Sequence, residues 1–483
     1  MEPRLLIDGA LRESSDGALL PVINPATGLE VGRVFDAAPE DAEAAIEAAR
    51  AAMSGSRWAA DPRLRAACLG QVHDALQRNA DLFRAALVTE VGCPVRMTFA
   101  DQFQYAVDKL AFYVDVLNSY QFRESLPDLA GPGGNQQRTM WRAPIGVVAA
   151  ITPWNLPVEL MLAKLGGALA GGNALVLKPS PLAAWCGTLL GRIVAEETDI
   201  PPGIVSVLCS ARVDTAEVLT GSPHVDAIAF TGSTQTGKAV MRSASATVKK
   251  VCLELGGKSP SVFLPDADFR TVMPFAAAMA LFNSGQSCIM PSRMLVPEDR
   301  FEECLELAAA GMAEAQVGDP WSADTFLGPL ISSARRDDVI DIVRQSQAQG
   351  AYVVCGGNPL PGPGFYMEST LVADRSGTTA ASRQEIFGPV VAMTPYRSEA
   401  HAEALANDTD FGLAAYVWSG STERAATFGA RIRAGMVGVN GALFTAADMP
   451  FGGVGHSGIG REWGIAGMEE FLEIRTMAVS VPS

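Results

Sequence analysis

From residue 146 onward the chain alternates short apolar, β-branched runs with longer Ala- and Leu-rich segments. GVVAAI (146–151), ALVLK (174–178), IVSVLC (204–209), AIAF (227–230) and KVCLEL (250–255) read as five strands, separated by segments long enough for helices. Such alternation predicts a parallel sheet with helices on both faces. The rhythm restarts after Gly257. SVFL (261–264), a helical stretch over 269–283, RMLVP (293–297), a helix over 299–316, AYVVCGG and VWS predict a second αβ unit. Upstream, Pro39 suits a first helical position, and Glu40 and Asp41 suit the positive end of a helix dipole. Residues 39–60 therefore read as a surface helix opening a mostly helical stretch to about Leu117. GPGGNQQ (131–137) reads as a turn-rich connection.

At 483 residues the chain exceeds one small domain and suggests two or three. Apolar residues make up 48% and charged residues 19%, the balance of a soluble globular protein and not a disordered one. A formal charge of -16 argues against nucleic acid or an anionic membrane as the main partner. It leaves room for a small anionic cofactor, because backbone amides hold phosphate locally. The first residues, MEPRLLIDGALRESSDG, carry no secretory pattern. The most apolar run, Leu160 to Leu177, is interrupted by Lys164, glycines and Asn173, so no membrane span is expected. The eight cysteines form no CxxC pair. They are expected to be free thiols, mostly buried, in a cytoplasmic protein without a metal centre.

Parallel sheets present ligands at the carboxyl ends of their strands, and polar or glycine-rich residues gather there. FTGSTQTGK (230–238) ends a strand in Gly-Ser-Thr and opens a helix, which offers free amides to an anion. It is not GxGxxG, and a plain strand-to-helix turn has the same appearance. In LKPSP (177–181), Lys178 is either a contact for a ribose or 2′-phosphate or a solvated side chain in a Pro-rich turn. TPWNLP (152–157) fixes Trp154 and Asn155 between prolines, and Asn155 is either an oxyanion donor or a helix cap. In CLELGGKSP (252–260), Glu254 sits in an apolar strand. Burial there would raise its pKa and suit a general base, whereas a solvent-facing strand end would not. FNSGQSC (282–288) sets Cys288 behind a glycine turn, yet none of His73, His224, His401 and His456 lies within fifty residues of it. Cys288 is either a core thiol or a nucleophile that something other than histidine activates. EIFGPV (385–390) and MPFGGVGHSGIGRE (449–462) add a glutamate before an aromatic-Gly-Pro turn and a glycine-dense loop.

In this order and spacing, PWN, KPS, FTGST, LELGGKSP, GQSC, EIFGP and PFGG with SGIGRE resemble the motifs of the aldehyde dehydrogenase superfamily. INPATG (23–28) extends the resemblance over essentially the whole chain. It implies an α/β fold with a Rossmann-like, parallel-sheet dinucleotide-binding domain (1–121 and 145–256) and an α/β catalytic domain (257–456). A small oligomerisation arm and C-terminal tail (122–144 and 457–483) would build a homodimer or homotetramer. The resemblance makes Cys288 the nucleophile, Glu254 the general base and Asn155 the oxyanion donor, working with the Cys288 amide. It places Lys178 and Ser180 at the adenosine ribose, Ser233 at the pyrophosphate, Glu385 on the nicotinamide ribose and Phe387 near the nicotinamide. Gly232 and Trp154 are the remaining cofactor contacts. No histidine is then needed, since an oxidised nicotinamide is positive and local amides can favour a thiolate.

Two features refine the expectation. Pro181 stands where many NAD-preferring members carry a glutamate on the adenosine ribose, so a 2′-phosphate is not repelled and the cofactor is NAD or NADP. Glu254 itself argues for hydrolysis over acyl transfer to coenzyme A. By family position Tyr105, Leu156, Ala163, Ser287, Ile289, Thr445 and Phe451 would line the substrate tunnel. That mostly apolar set, without an arginine, implies oxidation of a hydrophobic aliphatic or aromatic aldehyde to its acid. The alternatives are a semialdehyde or amino-aldehyde dehydrogenase of one catabolic pathway, or a catalytically silent binding relative.

Overall fold

The structure is a computed structural model and describes residues 1–55, 57–131 and 134–481. Its largest sheet has eight strands, in the order Gly458–Ile459, Lys250–Glu254, Ala227–Thr231, Val147–Ile151, Ala174–Lys178, Val205–Val207, Leu5–Ile7 and Ala10–Arg12. The five central strands are parallel and largely buried, which is why they read as nearly continuous apolar runs. The chain lays down Val147–Ile151 first, builds outward on one side, then returns to build on the other. Strand order therefore reverses between Val147–Ile151 and Ala227–Thr231, the position where doubly wound sheets open a crevice for ligands. Register sets Ile151 beside both Lys178 and Phe230, and Thr231 beside Glu254. TPWN, KPS, TGST and Glu254 thus emerge at one sheet edge.

A second sheet runs Tyr352–Cys355, Thr370–Ala373, Val390–Tyr396, Arg293–Pro297, Pro260–Phe263, Ala414–Trp418 and Met436–Val439, parallel except for its first pair. Cys288 and Glu385 precede the neighbouring strands Arg293–Pro297 and Val390–Tyr396, so the topology brings them together. The helix Pro157–Ala170, with Pro157 in its first turn, follows Asn155. Every residue in it except Glu159 is buried, Lys164 included.

Several elements differ from expectation. The helix expected over 39–60 ends at Met53, and a separate turn runs Arg57–Ala60, with Ser56 outside the described residues. The stretch 269–283 stops at Met279 and continues as a short 3₁₀ turn, Phe282–Gly285. Of the expected turn at 131–137, Pro132 and Gly133 lie outside the described residues, and 134–137 are strand. That strand, Gly134–Pro144, joins Arg123–Gly131 and Leu472–Val481 in an antiparallel sheet, and a hairpin pairs Leu19–Asn24 with Leu29–Phe35. No helix among the described residues is long and apolar enough to cross a membrane.

Candidate active site

The turn that carries Cys288 is strained and tightly held. Asn283 and Ser284 adopt left-handed backbone, with φ of 52° and 55°, and Gly285 follows at 72°. A Cβ on Gly285 would fall 2.0 Å from the Gly388 carbonyl oxygen, so glycine is needed where this turn meets the Phe-Gly-Pro turn. Ser284 Oγ donates to the Gly328 carbonyl at 2.8 Å, and Gln286 Oε1 accepts the Ile331 N–H at 3.0 Å. All eight cysteines are free, and Cys288 is one of only two that are not fully buried.

Asn155 does not cap the helix that follows. The N-cap is Leu156, and no side chain bonds there. Instead the Asn155 carbonyl accepts from Gln102 Nε2 and Asn283 Nδ2, both at 2.9 Å. Gln102 Nε2 also donates to Asn283 Oδ1 at 3.0 Å, tying this loop to the cysteine turn. The Asn155 side-chain amide bonds to no described residue and remains available to a ligand.

Glu254 is 2% exposed, and neither of its carboxyl oxygens has a hydrogen-bond partner. Burial, and next the Glu462 carboxylate, push its pKa well above the usual carboxyl range, against smaller lowering effects of Lys164 and the nearby Cys288 thiol. The thiol is itself pushed well up by burial, Glu254 and Glu385. Burial therefore opposes ionisation of both groups in the protein alone. The glycines of LELGG permit this close assembly. A Cβ on Gly257 would lie 2.4 Å from the Cys288 carbonyl oxygen, and one on Gly256 would lie 2.1 Å from Glu385 Oε2.

One cavity of 560 Å³ joins these groups. Cys288, Glu254 and Asn155 line it, as do Trp154, Gly232, Ser233, Glu385 and Phe387 from the expected cofactor set. Leu156, Ser287, Ile289, Thr445 and Phe451 line it from the expected substrate set. Four expected residues are elsewhere. Lys178 is buried and donates from Nζ to the Ser210 carbonyl at 2.7 Å, so it is not a solvated turn residue. Ser180 Oγ accepts the Leu182 N–H at 3.3 Å, and it is Leu182 that reaches the cavity. Tyr105 is half-exposed, and Ala163 is packed in the core. Lys109, one turn beyond Tyr105 on the same helix face, and Glu159, one turn before Ala163, line the cavity, so position along the axis separates each pair.

The residues present fit a dinucleotide. Ser233 caps the helix Thr234–Ser245, its Oγ accepting the Thr236 N–H at 3.2 Å, and this N-terminus suits a diphosphate. Glu385 Oε1 accepts the Gly257 N–H at 3.0 Å, and burial lifts its pKa to about 7. A Cβ at Gly256 would close the cradle between this carboxyl and the strand end. Phe387, at φ 56°, meets Trp154 edge-on at 5.6 Å, forming an aromatic corner for a flat ring.

Sequence reasoning missed Glu159, Lys164, Lys109 and Glu462. Lys164 Nζ donates to both Thr231 Oγ1 and Glu462 Oε1 at 2.5 Å, placing a cation between Glu462 and the Glu254 strand. The available signal was PVELMLAKLGGALA (157–170), an otherwise apolar helix with only Glu159 and Lys164 charged.

A thiol, an unpartnered buried acid and a free amide thus line one crevice at the carboxyl edge of the sheet. The model of the "Aldehyde dehydrogenase family" matches residues 11–477. A 3-succinoylsemialdehyde-pyridine dehydrogenase from a Pseudomonas species is 40% identical over 98% of this chain and 97% of its own length. The geranial dehydrogenase of Castellaniella defragrans is 34% identical, with coverages of 92% and 91%. Among solved structures, a cysteine-to-alanine variant of Pseudomonas syringae aldehyde dehydrogenase C, complexed with NAD+ and octanal, superimposes with a TM-score of 0.93. It is 35% identical and is matched over 99% of this chain and 96% of its own. The chain belongs to the aldehyde dehydrogenase family.

Proposed function

We propose that this enzyme oxidises aldehydes to carboxylic acids with NAD or NADP through a covalent intermediate on Cys288. The observation that carries the reading is the single cavity where the Cys288 thiol, the unpartnered Glu254 carboxyl and the free Asn155 amide meet. Cys288 Sγ adds to the aldehyde carbon, forming a thiohemiacetal, while its proton passes to Glu254 directly or through water. The substrate oxygen takes up negative charge between the Asn155 side-chain amide and the Cys288 backbone N–H. A bound nicotinamide supplies the hydride acceptor that turns this adduct into a thioester. Glu254 loses that proton to solvent, then takes one from the water that hydrolyses the thioester and returns it to the departing sulfur, releasing the acid and restoring the thiol. Lys178 and Ser180 hold the adenosine end beyond Leu182, Ser233 and Gly232 the diphosphate, and Glu385, Phe387 and Trp154 the nicotinamide side.

In this reading residues 1–121 and 145–256 bind the dinucleotide and 257–456 complete the catalytic half. Residues 122–144 and 457–483 join subunits into a cytoplasmic homodimer or homotetramer. Exposed Leu129, Ile474 and Val479 on the three-stranded sheet support that last role. The substrate is a hydrophobic aliphatic or aromatic aldehyde, supported by Phe275, Tyr416, Trp418, Leu443 and Phe444 in the cavity wall and by the octanal bound in the Pseudomonas syringae relative. The name of the relative at 40% identity favours a second reading, a semialdehyde carrying an aromatic heterocycle.

Reduced-cofactor formation from a panel of aldehydes, with NAD and NADP in parallel, tests the proposal. Wild type oxidises apolar or aromatic aldehydes, and Cys288→Ala falls to background, a loss of at least about 10³-fold. A folded protein that binds dinucleotide yet oxidises nothing is instead the silent relative.

A further inference from the structure

Beyond the aromatic wall, another stretch of the cavity lining carries charge. Asp101, Lys109 and Glu159 reach it from the turn before helix Gln104–Ser119, from that helix, and from the first turn of helix Pro157–Ala170. Lys109 Nζ donates to Glu159 Oε1 at 2.7 Å, with the two side chains 11% and 13% exposed, and stands 5.3 Å from the Trp463 ring centroid. Asp101 accepts no hydrogen bond from another described residue, and it senses both neighbours. Burial raises the Asp101 pKa against a smaller lowering by Lys109, and burial raises that of Glu159, to which Asp101 adds.

Nothing in the chemistry at Cys288 needs these three groups, and a desolvated ion pair is weak reason for stability. Their position suggests a different task. Glu159 lies in the first turn of the helix that follows Asn155, and both line the same cavity. Two carboxyls face one ammonium, and that ammonium is already engaged by Glu159 and Trp463. The unused capacity is acceptor capacity, on Asp101 and on Glu159 Oε2, which has no partner. Arg335, the other cation in the lining, is paired with Asp338 at 3.6 Å.

We infer that Asp101, Lys109 and Glu159 form a specificity subsite for aldehydes whose far end donates a hydrogen bond, a hydroxyl or a protonated nitrogen, and that it rejects a far carboxylate. The inference rests on oxidation at Cys288 as proposed above. An apolar body then lies against the aromatic wall while its polar end meets Asp101.

Three para-substituted benzaldehydes test this with the full-length enzyme: hydroxymethyl (donor), ethyl (apolar, same size) and carboxyl (anionic). In wild type, kcat/KM for the hydroxymethyl compound exceeds that for the ethyl compound by about tenfold, mainly through KM. The carboxyl compound falls at least about tenfold below ethyl. Asp101→Leu brings the hydroxymethyl-to-ethyl ratio close to one, and Asp101→Asn keeps part of that ratio while relaxing rejection of the carboxylate. The double variant Lys109→Met with Glu159→Leu removes one charge of each sign and leaves Asp101 in place, so it keeps the rejection of the carboxylate. Equal rates for the three aldehydes in wild type, or ratios unchanged in soluble Asp101 variants, overturn the subsite alone. Failure to oxidise any of the three overturns the dehydrogenase reading and the subsite with it.

Discussion

Two carboxyl groups are buried almost completely, and their surroundings are opposite. Glu90, 1% exposed, accepts the backbone N–H groups of Trp185 and Cys186, each at 2.8 Å, at the start of helix Ala184–Glu197. Burial raises its pKa to about 7, with those amides working against the rise. Glu254 is buried to the same degree, yet no N–H or O–H donates to either oxygen, and the nearby donor is the Cys288 thiol. Glu90 uses its charge to close a helix end. Glu254 is left unsatisfied beside a thiol. Other buried groups, Lys258 Nζ and Glu159 Oε2 among them, also have no partner, so it is the orphaned acid next to a thiol in the cavity that carries the proposed role.

The contrast can be broken by substitution. Glu254→Gln should have the largest effect, lowering kcat by about 10²–10⁴-fold without loss of thermal stability. Asn155→Ala should cost roughly a hundredfold in turnover, the loss of one oxyanion donor, and unchanged turnover would remove Asn155 from the mechanism. Gln102→Leu removes one of the two donors to the Asn155 carbonyl and should reduce kcat by about tenfold with little change in cofactor affinity, because it shifts Asn155 and removes no reacting group. Glu90→Gln should leave turnover within about twofold but lower unfolding stability by about 1–3 kcal/mol, since one buried amide loses its acceptor. Lost turnover at unchanged stability in that variant would erase the distinction between the two acids.

Much of this was legible in the chain. The strands Val147–Ile151 and Ala174–Lys178 fall within a residue of their expected bounds, because strands buried on both faces write themselves as apolar runs. Leu19–Asn24, Leu29–Phe35 and Leu472–Val481 gave no such signal, being largely exposed, the first two held by pairing with each other and the last by pairing to the distant Gly134–Pro144. At the site, motif residues at strand ends were readable, since backbone direction alone places Trp154, Asn155, Ser233 and Glu254. Tyr105 and Ala163 share a helix face with Lys109 and Glu159, which line the cavity, and a face alone does not show which turn along the axis meets it. Gln102, fully buried, was invisible: its role exists only through its bonds to Asn155 and Asn283. The third hydrogen-bonded member of that network, Asn283, is readable only in a turn whose φ glycine would otherwise supply.

The central claim is that the orphaned Glu254 carboxyl is the base. Its pKa is raised and it acts when ionised, so turnover must increase as pH rises through that pKa and fall away on the acid side. The pH dependence of kcat in wild type and Glu254→Gln tests this most directly. The account predicts a wild-type limb well above the ordinary carboxyl range, and a low profile without that limb in the variant. The same limb at full height in Glu254→Gln would contradict it.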